Sequence, residues 1–136
     1  DTIDKQYGRN PATGKSDITF VVIDVEGFEQ EVLLGAQELI EGRSVQVFQI
    51  EVWTSQQGKG KVFSFPGLEL LVANGYLLFS PVLNNDTKSY SCEDLTHRLD
   101  ELGELFDVRC QYDKLTRGDC LAEILAVRPD VPPLKR

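Results

Sequence analysis

Residues 19–40 read TFVVIDVEGFEQEVLLGAQELI, and this stretch constrains the fold more than any other. Phe20, Val21, Val22 and Ile23 form an apolar run too short for an independent helix, are β-branched or aromatic, and lead into a turn signal. They predict a strand buried on both faces, the character of a strand inside a parallel sheet. Helical spacing follows: Phe28, Val32 and Ala36 recur at i, i+4 and i+8, Gly35 and Leu39 lie beside them, and Glu29, Gln30, Gln37, Glu38 and Glu41 populate the remaining surface. Strand, turn and amphipathic helix together make an α/β unit, with Asp24 and Glu26 at the carboxyl end of the strand. In open α/β sheets that end faces the crevice where ligands bind. The two carboxylates also have a purely structural reading, in which Glu26 complements the helix dipole and Asp24 hydrogen-bonds the turn.

A strand with two apolar faces needs neighbours and cover on both sides. Residues 1–17 do not offer them, being polar and rich in turn formers (Gly8, Asn10, Pro11, Gly14), and read as a loop. Either a partner chain or an absent N-terminal segment is therefore expected beside residues 20–24. The absence of methionine agrees with a processed product or a piece of a longer chain. The 136 residues suit one domain. A formal charge of −8 argues against nucleic acid or an anionic membrane surface as partner. No apolar run has the length of a membrane span, and no basic leader precedes an apolar segment. The sequence assigns no compartment. Cys92, Cys110 and Cys120 show no C-x-x-C spacing, so neither a metal cluster nor a disulfide framework is expected.

Further along, Glu41 and Gly42 predict a glycine C-cap, and residues 44–52 a second strand. If a right-handed crossover makes it parallel to the first, Glu51 near its carboxyl end comes close to Asp24 and Glu26; its bland alternative is a solvated strand-end acid. Residues 53–65 read as a polar loop whose GKGK segment lacks the P-loop pattern. Pro66 starts a short helix with Leu68, Leu71 and Val72 inward, Asn74 and Gly75 end it, and a third strand over residues 76–79 stops at Ser80 and Pro81. Asn85, Asp86 and Thr87 form a glycosylation acceptor pattern that matters only in a secreted protein. Ser91 is the expected N-cap of a helix carrying Leu95, Leu99 and Leu102, with His97 on its surface. A Cys92–His97 nucleophile pair is not expected, since five residues along one helix lie about 140° apart. Residues 106–112 and 120–127 read as two further strands.

The segment IDVEGFEQEVLLGA closely resembles the signature of FkbM-type methyltransferases, in which a strand ends in an acid-x-E-G-x-E pattern and continues into a helix reading V-L-x-G-A. Thr2, Ile3 and Asp4 resemble the family's threonine, aliphatic and aspartate step upstream of the signature. Ile50 and Glu51 resemble its following strand with a glutamate, and residues 74–79 its NGY strand entry. Beyond that the likeness thins, and residues 91–119 look like an insertion before the last strand. The resemblance implies an α/β fold, a Rossmann-like three-layer sandwich of the class I methyltransferase type, with only the second half of the sheet present, so that residues 1–136 form the C-terminal half of the domain. It also implies S-adenosylmethionine as cofactor. The family's glycine-rich turn and its ribose-holding acid match nothing in this chain, so the cofactor-binding half is expected outside it.

Such residues suit methyl transfer to oxygen, which needs close positioning of the acceptor and removal of its hydroxyl proton. Asp24 is expected to take the proton or orient the hydroxyl of a small-molecule or saccharide acceptor. Glu26 or Glu51 could do the same or fix a second acceptor group, and three strand-end acids could instead hold a divalent cation. The rival from another class is a non-catalytic interaction domain that keeps the half-fold without the cofactor site.

Overall fold

The computed structural model describes residues 2–7, 17–55, 65–84, 86–102 and 119–132. It has an α/β fold: a mixed five-stranded sheet with helices between its strands. In chain order these are α1 (Ile3–Tyr7), β1 (Ile18–Ile23), α2 (Glu29–Leu34), α3 (Gln37–Glu41), β2 (Val45–Ser55), α4 (Pro66–Ala73), β3 (Leu77–Asn84), β4 (Ser89–Asp94) and β5 (Asp119–Val127). The strand order is β1-β2-β5-β3-β4. β1 and β2 run parallel, as expected of two strands joined through helices, and β5 inserts antiparallel between β2 and β3.

Side chains alternate across this sheet. Ile23, Phe48, Ile50, Val52, Leu78, Ile124 and Ala126 point to the face that shares one buried cluster with Leu33, Leu39 and Ile40 of the central helices and Leu68 and Leu71 of α4. The opposite face carries Phe20, Val22, Gln49, Glu51, Glu123, Leu125 and Leu77, all exposed or half-buried. The expected strand buried on both faces is thus covered on one: Phe20 is 49% and Val22 60% exposed. Among the described residues β1 has a strand neighbour on one side only, and no second helical layer covers the open face.

Several expectations are corrected. The central helix is two helices, α2 and α3, separated by Gly35 and Ala36. Its buried stripe is Leu33, Ala36, Leu39 and Ile40, while Phe28 lies 64% exposed. The break has a cause distant in sequence. Residues 1–17 include α1, and Asp4 at its start accepts hydrogen bonds from the amides of Glu38 (2.9 Å) and Leu39 (3.1 Å). Those are free N-terminal donors of α3, whose N-cap Ala36 has no side chain to satisfy them. Thr2 in turn accepts from the Lys5 amide (3.3 Å), and the Gly35 carbonyl from the Asp4 amide (3.3 Å), which docks α1 on the break.

Gly42 does occupy the C-cap, but Arg43 carries the left-handed conformation (φ 50°) that ends α3. Asn74 and Gly75 (φ 86°) close α4. β3 does not stop at Ser80 and Pro81. It runs to Asn84, because β5 pairs with it only as far as Phe79, so that among the described residues the missing N–H of Pro81 faces no strand partner on that side. Residues 89–94 form β4, not the start of a helix. The Asp94 carboxylate accepts from the Thr96 amide (2.9 Å) and turns the chain, the Thr96 hydroxyl accepts from the Leu78 amide (2.9 Å), and a single 3-10 turn, Leu99–Glu101, follows. Leu95 and Leu102 still reach the core, and His97 is exposed. The GKGK segment, the strand expected over residues 106–112 and Cys110 lie outside the described residues, as does Asn85 of the glycosylation pattern.

Candidate functional site

The carboxyl ends of β1 and β2 meet in a hollow of about 140 Å³ on the open face, lined by Val22, Ile23, Asp24, Gln49, Glu51 and Glu123. Asp24 follows directly on the last residue of β1. Glu51 lies one position past Ile50, the β2 residue paired with Ile23. The parallel pairing of two apolar strands therefore sets these two acids side by side, as the strand-end argument predicts. Glu123 is a third acid that no motif marked. It stands directly opposite Glu51 in the antiparallel pairing of β2 with β5. Like charges in that position oppose one another, and the Gln49 carboxamide, donating to the Glu123 carboxylate, supplies a local compensating contact. The one available signal was that Glu123 interrupts an otherwise apolar strand, LAEILAV.

Glu26 is placed differently. It sits in the turn after β1, exposed, in the left-handed region at φ 50°, and is not among the residues lining the hollow. Gly27 follows at φ 108°, where a glycine is required. The Gly27 amide donates to Glu29 Oε1 at 2.9 Å, and Glu29, expected on the helix surface, is 2% exposed. Gln30, also expected on the surface, is half-buried. Its Oε1 accepts from the amides of Gly67 (2.9 Å) and Leu68 (3.3 Å), which fastens the signature helix to the start of α4. Thus the E-G-x-E-Q run works largely inward, on its own turn and on the next helix.

Among the described residues no three His, Cys, Asp or Glu side chains are grouped so as to hold a metal ion. The alternative of a cation held by the three predicted acids therefore has no geometry to rest on. The hollow is also small against the roughly 300–1,000 Å³ usual for a cofactor site. Lined among the described residues by three carboxylates and by no glycine, it does not fit an adenosine-bearing cofactor; it fits a hydroxyl or another hydrogen-bond donor at its mouth.

A sequence model for a family described as the methyltransferase FkbM domain matches residues 2–78. No curated protein and no solved structure matches the chain. The matched residues contain Asp4, Asp24, Glu26, Glu29 and Glu51 and end before Glu123. They form the N-terminal half of the chain, and this overturns the expectation that the resemblance is to the C-terminal half of the domain: β4 and β5 lie beyond the match.

Proposed function

The chain belongs to the FkbM methyltransferase family, and from that premise we propose that it supplies the acceptor side of an S-adenosylmethionine-dependent O-methyltransferase. The reading is carried by one observation, the convergence of Asp24 and Glu51 on a single hollow at the carboxyl ends of two parallel strands. Bound, the cofactor supplies an electrophilic methyl carbon. The work of this chain's own residues is on the acceptor. Asp24 holds or removes the proton of the hydroxyl, raising the nucleophilicity of its oxygen, and Glu51 with Glu123 orients the ring or chain that bears it. Glu26, outside the hollow, contacts a second acceptor group at the rim. A saccharide or small natural-product hydroxyl is the acceptor class, because such molecules offer several donors to a carboxylate-lined surface.

In this reading the residues that hold the cofactor lie outside the chain, beside the open edge of β1, and the sheet is one part of a Rossmann-like three-layer sandwich. Its support is the exposed apolar surface of Phe20 and Val22 on the open face, and of Val25 and Phe28 in the turn after β1, which an isolated sheet would leave in water. The test is transfer of isotopically labelled methyl from S-adenosylmethionine to a panel of saccharide and polyol acceptors by the full-length gene product. Label is expected in an O-methyl group. A product that binds neither donor nor acceptor would support the non-catalytic interaction domain instead.

A further inference from the structure

The turn that presents Asp24 and Glu26 is held from behind by a residue with no part in the hollow. Two successive residues, Glu26 and Gly27, are left-handed, and the first is not a glycine. A side chain adopts that conformation unwillingly, and it persists where neighbouring contacts fix it. Residues 24–28 are all exposed, so side-chain packing does not fix it. The N-cap of the helix that follows offers no help either: Phe28 makes no side-chain capping bond. What remains is Glu29. An acid in the first turn of a helix ordinarily lies in solvent near the free amides of that turn. Glu29 is instead buried, and its Oε1 accepts from the Gly27 amide two residues back.

We infer that Glu29 is a positioning residue, which acts through the Gly27 amide to lock the left-handed turn and so sets the direction of Asp24 and Glu26. The inference rests on the reading of those two acids as acceptor-side groups. Without the bond, Glu26 relaxes toward right-handed backbone. Its carboxylate then swings away from the rim, and the segment carrying Asp24 loses its anchor. The oxygen acceptor, more than the charge, is what the turn requires.

The experiment compares wild type with Glu29→Ala and Glu29→Gln. Exchange of the Gly27 amide with solvent deuterium is followed by NMR, and turnover is measured in the labelled-methyl assay. Glu29→Ala should speed Gly27 exchange by about tenfold or more, the change expected when a hydrogen bond is lost, with core amides such as Ile50 unchanged. It should also lower kcat while donor affinity holds. Glu29→Gln keeps a carbonyl oxygen of nearly the same reach, so it should restore most of the protection and most of kcat. Unchanged Gly27 exchange in Glu29→Ala overturns the inference, as does a Gln variant no better than Ala. Should the Ala variant fail to fold, Glu29→Gln decides alone: a folded Gln variant with Gly27 unprotected overturns it. Loss of Gly27 protection together with an Asp24→Asn variant of full turnover would instead keep the lock and discard the acceptor reading, so the two failures are separable.

Discussion

Replacing Asp4 by alanine removes one carboxylate from the second residue of α1 and leaves two amides at the start of α3, Glu38 and Leu39, without their acceptor. The Glu38 bond is exposed, so that amide can turn to water. The Leu39 bond is partly buried, and its residue is 1% exposed, so that amide carries most of the loss. Losing an N-capping acid costs about 0.5–2 kcal/mol, and a hydrogen bond to a charged group contributes about 1.5–3 kcal/mol when its partner has no substitute. With one of two amides rehydrated, about 1–2 kcal/mol is expected, which for a chain of this size lowers the melting temperature by roughly 3–8 °C. Asn at the same position retains one acceptor oxygen and should recover about half of that loss. Urea unfolding followed by circular dichroism measures both variants. A midpoint for Asp4→Ala indistinguishable from wild type would refute the claim that α1 caps the broken helix across 34 residues.

Two further predictions concern the packing that carries the site. At Gly67 an added Cβ would stand 2.6 Å from Leu33 Cβ, so Gly67→Ala must push α4 off α2; a loss of about 1–3 kcal/mol in urea titration is expected, and an unaffected midpoint would contradict the close approach. Tyr76 donates its buried hydroxyl to the Val45 carbonyl at 2.6 Å, and desolvation by burial raises its pKa above 10.0. The unfolded chain therefore loses this proton first as pH rises, so the contribution is intact below about pH 10 and declines above it. Tyr76→Phe should flatten that alkaline decline while lowering stability at pH 7 by about 1–3 kcal/mol, because the Val45 carbonyl is left unpaired; identical alkaline profiles would refute the assignment.

The sequence made legible those features whose causes are local or periodic. Short apolar runs marked β1, β2 and β5, and the parallel pairing of the first two followed from the helical connection between them, which brought Asp24 and Glu51 together. What it hid had causes elsewhere in the chain. The V-L-L-G-A segment looks like continuous helix until Asp4 reaches its break. Ser91 and the leucines after it suit a helix until β3 offers residues 89–94 a strand to pair with. Glu29 and Gln30 look like helix surface because nothing in their spacing tells that one turns back to Gly27 and the other caps α4. Glu123 joins the hollow only through the insertion of β5 beside β2, a pairing over more than 70 residues that no motif records.

The central claim, that the acids at the ends of β1 and β2 serve a methyl acceptor, is tested most directly by Asp24→Asn in the full-length gene product. Both turnover with labelled methyl donor and the donor's Kd are read. A general base of this kind contributes about 10²–10⁴-fold, so turnover should fall by at least about a hundredfold while donor affinity stays within about twofold. Turnover at the wild-type level would contradict the account.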